Sequence, residues 1–421
     1  NTFSQINVGN AATSGTITFS GDATFNNPVI IQAPSGAGTI NTAGYNINGT
    51  NNATIDLKAN QNIETDNITN PGRSIAIDST NGSIDTTKGT IDTISTAGNG
   101  GNITLTSPGN INTSTVQSRA DNTGTSGSIA LNSTAGIITN GNVDASAKNT
   151  ANANTVTLNS AQGITAQDIH AYTDSATSNV GNAGAINLTA TKGNISANNV
   201  FSSTLANSGN SGNGGNFTAT ATQGDITLAN VHSGAYVLGT GTAGNAGTVA
   251  LNAGGNITVS GRVDSTTFGA VSQGTPGSID LSANRLSVGS INTVKTDLFP
   301  TTSATVRSGN IALTGNEINF TGGANRVIGT GTIWLQPLAV GQNMVLGGAT
   351  DSGATTLDLT ATDLAALQNG FSSIAIGRSD SSGTITFGGN VTFNDPVTFR
   401  SPATSGSINT TGFTLTGADN A

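Results

Sequence analysis

Apolar positions along this chain fall into a short phrase that keeps returning. Between residues 101 and 313 it reads "GNITL", "GSIAL", "NTVTL", "GAINL", "GNFTA", "GTVAL", "GSIDL" and "GNIAL". Its central residues are Ile103, Ile129, Val156, Ile186, Phe217, Val249, Ile279 and Ile311, spaced by 26 to 32 residues. A second apolar position follows 7 to 9 residues later, at Ile111, Ile137, Ile164, Ile195, Ile226, Ile257, Leu286 and Ile318. A third follows at Val116, Val143, Ile169, Val200, Val231, Val263 and Ile291, and in the last unit only at Val327.

Within "ITL", "IAL" and "VTL" the alternation has period 2, which sends Ile and Leu to one side of a strand and the small residue to the other. Each unit therefore predicts three short strands and three corners. Gly and Asn suit such corners because they tolerate left-handed dihedrals. One unit cannot bury its own apolar face, but stacked units cover one another. A flexible Gly/Ser/Asn linker would not hold apolar residues in phase over eight units. The predicted fold is all-β: a right-handed parallel β-helix, or β-solenoid, with three short strands per rung. The named Ile and Val positions form its core columns, and Asn side chains are expected to ladder from rung to rung. Length variation lies after the third strand, so one edge carries loops such as "YTDSATSNVGNAG".

A longer repeat encloses the short one. Residues 3–49 align without a gap on residues 371–417 at a constant offset of 368, with 23 identities in 47 positions. This divides the chain into residues 1–100, rungs that open the long repeat; 101–327, the regular rungs; 328–370, a junction; and 371–421, the start of the next long repeat, matching 3–53. Roughly thirteen turns separate Ile17 from Ile385, which at ~4.8 Å per rung is about 60 Å. In the junction "TDLAALQNG" breaks the β pattern and predicts a short helix, N-capped by Thr362 or Asp363 and ended by Gly370. Trp334, Pro300 and Pro337 fall in the same irregular zone, and Trp334, Leu364, Leu367 and Phe371 are the candidate junction or end-to-end contacts. The chain is expected to be a piece of a tandem array that continues past Ala421 into text like "NNATIDL".

Composition removes most other classes. Charged residues make up 8% and aromatics 4% of 421 residues, with 57 Gly and no Cys. Without Cys there is no disulfide framework and no thiolate ligand or nucleophile. A net charge of −9, with 13 Lys and Arg scattered singly, offers no footprint for nucleic acid. No apolar run approaches the ~18 residues of a membrane span, so no membrane insertion is expected.

The closest candidate for catalysis is the column one residue past the third strand: Gln117, Asp144, His170, Phe201, His232, Asp264 and Asn292. It faces outward and brings Asp144 beside His170, yet it contains no Lys or Arg and no close pair of carboxylates such as glycoside cleavage requires. His170 and His232, with Phe201 between them, stand ~10 Å apart, too far to share a metal ion. No catalytic residue, cofactor or metal site is expected; weak calcium binding at the Asp-rich corners stays open.

"GNITLTSPGNINTSTV", "GAINLTATKGNISANNV" and "GTVALNAGGNITVSGRV" resemble repeat modules of the filamentous-haemagglutinin-like family of bacterial surface proteins, and the resemblance covers essentially the whole chain. "LAALQNGFSSIAIGRSDSSGTITFGGNVTFNDPVTFRSP" is similar to a segment that recurs in very large members. The resemblance implies export by a two-partner route and an extracellular, cell-surface filament or adhesin. That family's secretion domain carries NPNG- and NPNL-type motifs; this chain has "NNPV", "NPGR" and "NDPV", so it resembles the shaft. The implied partners are further copies along the fibre axis, tandem or head to tail, with lateral bundling and surface glycans as further partners. A carbohydrate-binding adhesin module on the looped edge and a polysaccharide-degrading enzyme are the alternatives.

Overall fold

Residues 3–176, 178–269, 271–292, 309–351, 353 and 355–421 are described in a computed structural model. It is nearly all β, a parallel β-solenoid of about 14 turns. Its first face is one unbroken parallel stack. Ile6 pairs with Val29, Val29 with Ile55, Ile55 with Ile75 and Ile75 with Ile103. The stack continues through Ile129, Val156, Ile186, Phe217, Val249, Ile279 and Ile311. It ends through Ile333, Ile374 and Val397.

The alternation of small and aliphatic residues decides which side faces in. Ile103 and Leu105 are buried while Thr104 between them is exposed. Where the first strand meets its corner there is room only for a small side chain: Ser79, Ser107, Ser133, Ser160, Ala190, Ala221 and Ala253 all stand there, each buried. The serines also satisfy corner backbone. Ser133 Oγ donates to Gly109 O (2.7 Å) and accepts from Gly136 N (3.1 Å), and Ser160 Oγ repeats this with Gly136 O (2.8 Å) and Gly163 N (3.0 Å). Buried polar groups are tolerated when paired in this way.

The Gly that opens the phrase has a steric cause. A Cβ on Gly215 would strike Gly184 O, one on Gly247 would strike Gly215 O, and one on Gly277 would strike Gly247 O. At these three glycines successive rungs approach too closely for a Cβ, whereas the same position in "NTVTL" admits Asn154. Outside the wall, asparagines form the expected ladders, largely by an unexpected route. The side-chain oxygens of Asn152, Asn182, Asn213 and Asn245 each accept a backbone N–H from the rung above, at 2.7–2.9 Å. Direct amide-to-amide steps also occur, as from Asn81 to Asn60 (2.7 Å) and from Asn230 to Asn199 (3.0 Å).

On the second face, Ile111 pairs with Ile138 and Ile138 with Ile164. Ile137, expected in that column, points outward and is 42% exposed, whereas Ile138 is 0% exposed. In "GIITN" either Ile continues the column, and a one-residue slip reverses every side chain. The other core-column positions, Ile103, Ile129, Val156, Ile186, Val249, Ile279, Ile311, Ile111, Ile164, Ile195, Ile226 and Ile257, all lie in the interior.

Residues after the third strand, expected as loops, build a side sheet of their own. Ala147–Lys148, Thr173–Ser175, Thr204–Ala206, Ala235–Val237 and Thr267–Phe268 pair in parallel across five rungs. Val180, Ala206, Val237 and Ala243 form a small core behind it.

The junction continues the solenoid and adds to it. Thr332–Gln336 extends the first face, with Trp334 half-buried between Ala312 and Ala375 in register. Asn343–Leu346 pairs on one side with Thr384–Phe387 and on the other with Thr356–Leu359, which lies against Ile311–Phe320. The later strand therefore sits below the earlier one: the chain folds back and gives the second face an extra layer. Thr360 then caps the helix Ala361–Ala366, the one helix among the described residues, with Asp363 completing a capping box. Thr362 and Asp363 are thus inside the helix. The cap comes earlier than expected because the strand Thr356–Leu359 runs straight into it, and the helix ends at Leu367 rather than Gly370. Leu364 and Leu367 pack on the main core and Phe371 is buried in it; Leu367 bridges to Val327 and carries the third face onward. Pro300 lies outside the described residues.

Candidate functional site

The candidate column beside the third strand is in the expected register. Gln117 pairs with Asp144, Asp144 with His170, His170 with Phe201, Phe201 with His232, His232 with Asp264 and Asp264 with Asn292. Its rings stack: His170 and Phe201 have centroids 5.4 Å apart at 27°, and Phe201 and His232 lie 5.0 Å apart. Tyr172, entering the side sheet, meets His170 edge-on at 5.3 Å. The side sheet therefore turns what would be an open face into a half-buried notch.

Cations absent from the column itself arrive from flanking positions. Arg119 reaches Asp144 at 3.5 Å and Asp121 at 3.3 Å, and Arg262 reaches Asp264 at 3.5 Å. Burial pushes His232 below the ordinary imidazole value, opposed by Asp264, which lies 3.8 Å away, and reinforced by Arg262. Burial also holds the Tyr236 hydroxyl well above the phenol range, with Asp264 adding to the effect.

These groups do not assemble a hydrolytic pair. Asp144 and Asp264 stand four rungs apart, ~19 Å at the strand spacing, and each is engaged by an arginine. Phe201 keeps the two histidines from sharing an ion. What the notch offers is a strip of rings with charged ends, a surface suited to stacking on flat apolar faces.

A tighter cluster lies in the junction, where sequence reading placed none. Glu317, Asp351 and Asp358 bring carboxylate oxygens within 4.8 Å of one another. Glu317 stands on the outward side of Ile311–Phe320, one rung above Arg285, yet the folded-back segment covers it completely. Burial and then the neighbouring Asp351 and Asp358 carboxylates push Glu317 up to about 8. Only the reversed strand order unites these residues, and no local spacing announces it.

The two ends of the solenoid leave their core faces open. Ile6, Val8, Ile17, Phe19 and Phe25 are only partly covered at one end. Ile408, Phe413 and Leu415 are exposed at the other. No helix among the described residues is long and apolar enough to cross a membrane. Compared with known proteins, the chain matches no family model, no curated protein and no solved structure.

Proposed function

We propose that this chain is a segment of the shaft of an extracellular bacterial filament or large adhesin, of the filamentous-haemagglutinin-like kind. In this reading it is built from tandem β-helix repeats of 368 residues. The observation that carries the proposal is the equivalence of the two copies. Ile6 and Ile374 stand thirteen pairings apart on the first face, and the copies share their hydrogen bonds. Thr39 Oγ1 donates to Thr16 Oγ1 at 2.8 Å, as Ser407 Oγ does to Thr384 Oγ1 at 3.0 Å. Thr50 N donates to Phe25 O at 2.9 Å, as Ala418 N does to Phe393 O at 2.9 Å. The positive φ values also recur, at Gly9 and Gly377, Gly44 and Gly412, and Asn51 and Asp419.

Two copies that share this local geometry present matching edges for a further copy to stack on. The inner copy indicates how: its strand Ser373–Gly377 rests on Thr332–Gln336 and carries Val397–Arg400. An equivalent of Thr332–Gln336 from the preceding repeat would cover Ile6 and Val8. An equivalent of residues 53–69 from the following one would cover Ile408 and Leu415. The role is mechanical, with backbone hydrogen bonds running along the axis and a dry aliphatic interior that resists proteases.

Imaging of the intact parent protein tests this. A rod on the cell surface with an axial repeat of ~62 Å, thirteen rungs at ~4.8 Å, is expected; a compact parent, or a rod without that period, overturns it. A carbohydrate-binding adhesin module is the second reading, supported by the ring strip His170–Phe201–His232. It predicts glycan-array binding that Phe201→Ala removes.

A further inference from the structure

We propose that Glu317, Asp351 and Asp358 form a divalent cation site of the calcium type, which clamps the folded-back strand of the junction onto the solenoid. The three residues come from three places: the rung Ile311–Phe320, the turn after Asn343–Leu346, and the strand Thr356–Leu359. Their oxygens lie within 4.8 Å of one another, the separation of two ligands on opposite sides of an ion bound at ~2.4 Å. All three donors are hard carboxylate oxygens, the set that calcium takes and that softer transition metals do not prefer.

A second observation separates this cluster from ordinary surface acids. Glu317 is 0% exposed and neither of its carboxylate oxygens meets a hydrogen-bond donor. A buried carboxylate with no donor is costly, and Arg285, the cation on the neighbouring rung, is exposed and leaves both oxygens without a hydrogen bond. An ion held between Glu317 and Asp358 would supply the missing partner, and the exposed side of Asp351 leaves room for the waters that complete a calcium shell. The location gives the site a purpose. Among the described residues this is the one place where strand order reverses in the stack, so that layer depends on side-chain contacts more than its neighbours do. The inference is independent of the shaft role.

Calorimetric titration of the chelator-stripped chain with calcium chloride tests it, together with thermal melting in chelator and in calcium. One ion per chain, with a Kd of ~1 mM or tighter, and a calcium-dependent rise in Tm are expected. Glu317→Gln should weaken binding at least about tenfold. In chelator above pH 8, where Glu317 is ionised, it should melt no lower than the wild type, because it removes a buried like charge. Asp351→Asn, on the exposed side, gives the same loss of binding and guards against a folding defect at the buried position. Absence of saturable binding, as expected if a shared proton alone neutralises the cluster, overturns the proposal. So does calcium binding that neither substitution weakens.

Discussion

Ile40 and Ile408 hold the same place in the two copies of the opening segment, yet Ile40 is 1% exposed and Ile408 is 48% exposed. The difference lies in the neighbour, not in the residue. Ile63 stacks in register on Ile40, and among the described residues no later strand pairs with Ile408. Core membership in a solenoid is thus conferred by the next rung. An aspartate at position 40 puts an unpaired charge in a dry column, and Ile40→Asp is expected to cost more than about 4 kcal/mol. Ile408→Asp should change stability by no more than about 0.5 kcal/mol while reducing end-to-end association of the isolated chain. Chemical denaturation and sedimentation separate the two effects.

The register on the second face yields a sharper pair. Ile138→Ala removes a buried side chain between Ile111 and Ile164 and should cost about 2–5 kcal/mol. Ile137→Ala, one residue earlier and facing out, should stay within about 0.5 kcal/mol. Equal effects in denaturant unfolding would mean that the strand pairs through Ile137.

The phrase-opening glycines are spacers between rungs. Gly247→Ala places a methyl against Gly215 O, and both the backbone and the rung below must move to admit it. A loss of roughly 1–3 kcal/mol is expected. Gly15→Ala, with open space around its Cβ, is the control and should be neutral. Melting curves of the two variants report the comparison directly.

Much of this fold could be read in the chain because one physical demand repeats every turn. An apolar residue must sit above an apolar residue, so the columns Ile103 to Ile311 and Val116 to Ile291 appear as a rhythm. Where the demand is ambiguous, the reading fails: "II" at 137 and 138 satisfies the rhythm twice. The side sheet was illegible because its strands are two or three residues long and inward positions such as Ala147, Thr204 and Ala235 are small, leaving no period to detect. The acidic cluster was illegible for a different reason. Glu317 and Asp358 meet because a strand turns back on the stack, and topology of that kind leaves no trace in local spacing. The notch was half legible: its column of seven was placed correctly, but the flanking Arg119 and Arg262 and the wall that half-buries it were not.

His232 makes that half-buried notch sensitive to acid. Burial lowers its pKa, with Asp264 opposing and Arg262 assisting, so the folded chain binds the imidazole proton less readily than the unfolded chain does. At pH values between the lowered folded pKa and the unfolded value of ~6.5, the unfolded state holds more protons, and stability therefore rises with pH across that window. The neutral ring's contribution is fully present above ~6.5 and declines as pH falls through the window. His232 should accordingly pull the melting temperature down between about pH 7 and pH 5, against Glu317, whose raised pKa favours the fold as pH falls, and the difference between the wild-type and His232→Gln profiles isolates the ring's share. The stack on Phe201 is lost in the same variant, so its melting temperature at pH 8 gives the packing cost separately. A slope that survives His232→Gln unchanged would assign the acid sensitivity to another group.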